Sequence, residues 1–121
     1  MQYALLIYQD ETVADATPES MQAMVDEYRG YEIWLAARGI KRAGEALYPT
    51  DHATTVRLRD GEELTTDGPF AESREQLGGF YLLECDNLDD ALEAARECPG
   101  SAHGSVEVRP VVDLARFEGG S

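Results

Sequence analysis

Asp67 and Glu72 stand in the densest stretch of chemistry in this chain, the run Asp67-Gly68-Pro69-Phe70-Ala71-Glu72-Ser73-Arg74-Glu75-Gln76-Leu77-Gly78-Gly79. A surface connection needs only a turn, whereas this one adds an aromatic, several charges and a Gly-Gly pair between two strand-like segments. A carboxylate in such a loop is a candidate general base when partial burial raises its proton affinity towards neutrality. The structural alternative has Asp67 capping the Gly-Pro turn and Glu72 opening a short helical turn over 71–76. Three further residues complete a candidate ligand-binding set: Tyr28 as a hydrogen-bond donor, Glu45 beside Gly44, and Arg109 as a rigid cationic fork for an anion.

Other chemistries find little support in the residue pattern. His52 and His103 are isolated, and neither stands at metal-ligand spacing with Cys85 or Cys98, so no metal is expected. Cys98 reads as a small packing residue, because a reactive thiol needs an electropositive setting. Gly78-Gly79 matches no GxGxxG pattern and precedes no helix, which removes nucleotide binding, and no cofactor is expected.

The elements that must position these residues follow from spacing and punctuation. Residues 3–8 are apolar on both faces and predict a central strand. Thr17-Pro18 opens a long helix whose stripe is Met21, Met24, Tyr28, Tyr31 and Leu35, and Gly39 closes it. Residues 40–47 read as an extended or irregular segment. Two alternating runs around Asp60-Gly61 predict a β-hairpin. A loop is expected over 67–79 and a strand over 80–84. Asn87, with Asp90 three residues on, caps a second helix bearing Leu88, Ala91, Leu92, Ala95 and Cys98, stopped by Pro99-Gly100. The last strand alternates, placing Val106 and Val108 on one side and Glu107 and Arg109 on the other. The tail, 113–121, is expected to fray.

This order predicts one α+β domain over 1–121, a ferredoxin-like sandwich with an antiparallel sheet and both helices on one face. Tyr8, Tyr81, Glu107 and Arg109 are expected on the other face, which a second copy would cover. Composition fits a globular chain, with 43% hydrophobic residues and a net charge of −14. Such acidity disfavours nucleic acid and anionic membranes as partners. The first strand lacks the features of a signal peptide and is too short to span a bilayer, so a cytoplasmic location is expected.

Asp67-Gly68-Pro69-Phe70-Ala71-Glu72, then Glu75-Gln76-Leu77-Gly78-Gly79-Phe80-Tyr81, then Val106-Glu107-Val108-Arg109-Pro110 together resemble the DGPF branch of the YCII-related family. The resemblance extends over nearly the whole chain. It implies a homodimeric α+β barrel of ferredoxin-like protomers, an architecture shared with muconolactone isomerase and antibiotic-synthesis monooxygenases. Relatives carry a His on the first helix and an Asp before a Pro at the end of the second, proposed as a catalytic pair; here those positions hold Tyr28 and Cys98, and the pair does not carry over. Two functional readings remain. One is a cofactor-independent lyase or isomerase for a small molecule, with a pocket between the sheet and the first helix, Asp67 or Glu72 as base, Tyr28 as donor and Arg109 as anion clamp. The other is a non-catalytic ligand-binding or regulatory module associated with transcription through sigma factors, in which Gly68, Pro69 and Phe70 serve dimer architecture, with Phe70 as an anchor.

Overall fold

The computed structural model describes residues 1–11 and 17–118. Its main sheet is antiparallel, with strands β1 (Gln2–Asp10), β2 (Lys41–Ala46), β5 (Glu75–Glu84) and β6 (Ser105–Pro110) in the order β2-β5-β1-β6. The two central strands, β1 and β5, are the apolar ones, with their helix-side residues buried and the alternate ones half-buried. Helices α1 (Pro18–Arg38) and α2 (Leu88–Glu97) cover one face, giving the ferredoxin-like α+β arrangement. Strands β3 (Thr54–Arg59) and β4 (Glu62–Asp67) form a separate hairpin sheet inserted between β2 and β5.

Local chemistry sets the boundaries. Thr17 accepts from Ser20 N while the Ser20 hydroxyl accepts from Thr17 N, a reciprocal cap ahead of Pro18. Gly39, at φ 64°, ends α1 in the left-handed conformation. Asn87 accepts from Asp90 N to start α2. Asp60 and Gly61 both have positive φ, 54° and 81°, as a tight hairpin turn demands.

The core is Tyr3, Leu5, Ile7, Tyr31, Leu35, Tyr81, Leu83, Cys85, Ala91, Ala94, Ala95 and Cys98. Three sequence expectations change here and one sharpens. The stripe on α1 is buried only at Tyr31 and Leu35 and half-buried at Tyr28; Met21 and Met24, 60% and 43% exposed, stand outside the core. Residues 41–46, read as extended or irregular, form an edge strand with a register shift between Lys41 and Ala43, because β5 beside them needs a hydrogen-bonding partner. Strand β5 begins at Glu75 rather than residue 80, so 75–79 belong to the sheet and the loop shrinks to 68–74. Tyr81 lies on the helix side, since it pairs with Leu5 and Gly44, and its ring rests over the Gly44 backbone where a Cβ would meet it at 2.6 Å.

Pro99-Gly100 ends α2 as expected, and a short turn of helix, α3 (Gly100–His103), follows it at once. In the tail, Ala115–Glu118 forms a helical turn, α4, whose Ala115 N–H donates to Asp113; the rest of the tail, 119–121, lies outside the described residues. Gly78 is the extra residue of a β-bulge. Pairing runs Ile7 with Gly79 and then Tyr8 with Leu77, so Gly78 has no opposite number on β1, and its carbonyl accepts instead from Leu47 N.

Candidate functional site

The layer between the sheet and α1 is packed, not hollow. Tyr31 stacks on Trp34 and meets Tyr81 edge-on at 5.3 Å, and its hydroxyl donates to Ala94 O at 2.7 Å. The Tyr81 hydroxyl donates to Glu32, which also holds Lys41 at 2.9 Å. Leu5, Leu35 and Leu83 are fully buried between them. The pocket expected between sheet and first helix is therefore filled by these aromatic and aliphatic side chains.

Tyr28 lies on this side too. Its hydroxyl lies against the Cys98 thiol and the Gly100 backbone. The start of α3 presses so close that a Cβ on Gly100 would fall 2.6 Å from Ile7 and 3.0 Å from the Tyr28 hydroxyl. Burial, then the nearby Cys98, pushes the Tyr28 phenol well above its ordinary range, and burial pushes the Cys98 thiol up. Both groups therefore remain neutral at physiological pH. Tyr28 can donate a hydrogen bond there but cannot act as a base.

The opposite face carries a different set. Partners across an antiparallel ladder share a face, so the registers assemble two rows on the side away from the helices. One row runs Glu45, Phe80, Leu6, Glu107; the next runs Ala43, Leu82, Ala4, Arg109. Tyr8, one step beyond Leu6 on this face, lies between Leu77 and Ser105. The result is a floor of Leu6, Phe80, Leu82 and Ala4 with charges at both edges. The Tyr8 hydroxyl donates to Glu107 at 3.5 Å, a long bond, and Ser105 donates to both oxygens of Glu75. Glu45 and Arg109 have no hydrogen bond or ion pair among the described residues. Each has an exposed side chain.

The loop after β4 is stitched to its own hairpin. Gly68, at φ 105°, donates to Ala53 O, Thr55 donates to Gly68 O, and Arg57 donates to Phe70 O. Asp67 closes the hairpin ladder opposite Thr54. Phe70 is 77% exposed and enters no slot in its own chain. Residues 71–74 form no helical turn; Gln76 instead donates to Ala71 O and Ser73 O, and Arg74 pairs with Asp10 at 3.1 Å. This loop walls an open cleft of about 380 Å³ that Pro69, Glu72, Ser73, Arg74 and Gln76 share with Glu11 and Thr50. Glu11 is committed there, accepting from both the amide and the hydroxyl of Thr50.

A family model, the YCII-related domain, matches residues 1–115. The chain belongs to the YCII-related family. It is 40% identical over 114 residues to an uncharacterised protein of Rhizobium meliloti (strain 1021), a match spanning 92% of each chain. Its fold is similar to that of 5-chloro-2-hydroxyhydroquinone dehydrochlorinase from Burkholderia phenoliruptrix AC1100, solved in complex with 2,5-dihydroxybenzoquinone. The TM-score is 0.51 with 13% identity, covering 93% of this chain and 94% of that one. At that identity the likeness speaks for the fold alone.

In this YCII-related protein the five site candidates divide among four places. Glu45 and Arg109 share the open sheet face; Tyr28 lies behind the sheet with Cys98; Glu72 walls the loop cleft, and Asp67 stands at the base of the hairpin. One contact escaped the sequence reading: Tyr28 and Cys98 meet, but no local pattern announces a contact between α1 and the end of α2. Tyr8, Glu107 and Arg109 stand together on the open face as expected, and of that set Tyr81 alone does not. His52 and His103 are exposed, paired with Asp51 and Glu27, and no group of metal-ligating side chains occurs among the described residues.

Proposed function

We propose that this protein is a cofactor-independent lyase or isomerase for a small anionic molecule, with its pocket on the open face of the sheet and a second copy as the lid. The observation that carries the reading is the pair of cross-strand rows, which put an apolar floor between Glu107 and Arg109 on β6 and Glu45 on β2. Such a mix, mostly apolar with a few convergent polar groups, is what small-molecule sites use. The neighbouring fold belongs to a dehydrochlorinase bound to a dihydroxylated quinone ring, which fits the same reading.

In the proposed reaction Arg109 holds the ligand's anionic group and Glu107 removes a proton from carbon. The electron pair of that C–H bond stays on the ligand as an enolate, which Arg109 stabilises by charge. The enolate then regains the proton at another carbon, giving an isomer, or expels a leaving group, completing an elimination. Asp67 and Glu72 share no sheet face with this floor, so Glu107 takes the role of base and the two loop carboxylates keep structural ones. The lid is a homodimer formed by sheet-on-sheet packing, which would bury Leu6, Phe80 and Leu82.

Light scattering tests the lid: a mass of twice the 13.3 kDa chain is expected, and a monomer overturns it. The reaction is tested in D2O with small ring carboxylates and keto acids. Deuterium should enter the bound ligand with wild-type protein and not with Glu107→Gln. Exchange that persists in Glu107→Gln removes it as the base. Binding without exchange in the wild type instead favours the ligand-binding module.

A further inference from the structure

We infer that the ligand of the open face is bipolar, with an anionic group at one end and a hydrogen-bond donor, hydroxyl or ammonium, at the other. This rests on the pocket proposed above and adds the polarity of what fills it. On that face Glu75 takes Ser105, Asp10 holds Arg74, and Glu84 lies 3.3 Å from the N-terminal amine, while Glu107, touched by the Tyr8 hydroxyl only at 3.5 Å, is the base proposed above. Glu45 and Arg109 are left, opposite in sign, with no partner among the described residues.

Their placement makes the combination meaningful. Glu45 is on β2 and Arg109 on β6, the two edge strands, so three strand spacings, about 14 Å, separate their backbones. They stand in adjacent rows, offset by about 7 Å along the strands. At that separation they cannot neutralise each other through a short ion pair without both side chains lying flat across Leu6, Phe80 and Leu82. A ring seated on that floor instead presents one end to each. Arg109 recognises a carboxylate or an equivalent planar anion by paired N–H donors. Glu45 has only acceptors, so the far end of the ligand must donate. A ligand with anions at both ends would meet Glu45 as a like charge, and one with donors alone would leave Arg109 unfilled. The net charge of −14 sharpens this selection, since a simple anion is repelled by the rest of the surface and gains nothing at the Glu45 end.

The test is titration of the 121-residue chain at pH 7, followed by NMR chemical shifts, with four probes: benzoate, phenol, 4-hydroxybenzoate and 4-(aminomethyl)benzoate. One or both of the bifunctional probes should bind about tenfold more tightly than benzoate, the effect of one charge-assisted hydrogen bond. The one that gains identifies the donor as hydroxyl or ammonium. In Glu45→Gln that advantage should disappear while benzoate binding is unchanged; in Arg109→Gln all three carboxylates should weaken by about tenfold or more. Equal affinities for benzoate and both bifunctional probes, or an advantage that survives Glu45→Gln, overturns the bipolar assignment and leaves the pocket standing. Benzoate binding that is absent in wild type, or insensitive to Arg109→Gln, overturns the pocket itself.

Discussion

On the helix side of the sheet the hydroxyls of Tyr31 and Tyr81 are engaged, by Ala94 and Glu32, and that of Tyr28 lies against Cys98 and Gly100. On the open side, three strands apart, Glu45 and Arg109 have no protein partner among the described residues. The first side is dense with groups that could do chemistry, yet the Tyr31 and Tyr81 hydroxyls are used in holding α1 and α2 to the sheet, and burial keeps its phenols and thiols neutral. The second side has fewer such groups, but they are free to meet something else. Perturbed proton affinity in this protein therefore marks architecture, and unsatisfied charge over an apolar floor marks the candidate site.

Truncation of a buried side chain should separate the two faces most widely. Leu83→Ala or Leu35→Ala, at positions with no exposure, should cost about 2–5 kcal/mol in urea unfolding. Arg109→Gln should stay within about 0.5 kcal/mol, as an exposed substitution does. Comparable losses from both would erase the contrast. A gentler pair compares hydroxyls. Tyr31→Phe should cost about 1 kcal/mol, since the Ala94 carbonyl keeps the Cys98 amide as a second donor. Tyr8→Phe should leave unfolding nearly unchanged and act on ligand turnover instead.

The alkaline limb of stability offers a third measurement. Tyr28, Tyr31, Tyr81 and Cys98 all hold their protons more tightly folded than unfolded. Their contribution is complete below the unfolded values, about 9 for Cys and 10 for Tyr, and is lost as pH rises beyond them towards the folded values. Melting temperature should thus be level from pH 7 to about 9 and fall above that, with a shallower fall in Tyr28→Phe. An equal slope in that variant would remove Tyr28 from the account. The smallest effect on the chain itself is expected from Phe70→Ala, within about 0.5 kcal/mol, because the ring is exposed. If Phe70 anchors a second copy, sedimentation should show a weaker dimer at the same melting temperature of the dissociated chain.

Caps, hairpin turn and helix ends were legible in the sequence because each is decided within four residues, as at Thr17-Pro18, Asn87-Asp90 and Asp60-Gly61. What was not legible is settled by pairing at long range. Lys41-Arg42-Ala43-Gly44-Glu45-Ala46 carries almost no apolar signal and becomes a strand only because β5 lies beside it. Residues 80–84 are apolar on both faces, so no alternation reveals that Tyr81 looks towards the helices; the Leu5–Tyr81 register does. The site divides the same way. Arg109 was visible from the alternation of β6, but its sharing a face with Glu45 depends on three consecutive registers that no local pattern encodes.

The bulge at Gly78 gives β5 a residue that its β1 partner does not fix, held only by the Leu47 N–H on its carbonyl. Deleting that single residue would leave Ile7 opposite Gly79 and Tyr8 opposite Leu77, since Gly78 pairs with neither. What would change is the Leu47 N–H bond to the Gly78 carbonyl and the local twist, and with them the angle at which residues 68–74 leave the sheet. Insertions and deletions usually accumulate in loops. Here a position inside a central strand is open to the same kind of change, and a loss there would re-aim the Asp-Gly-Pro-Phe segment without altering any of its residues.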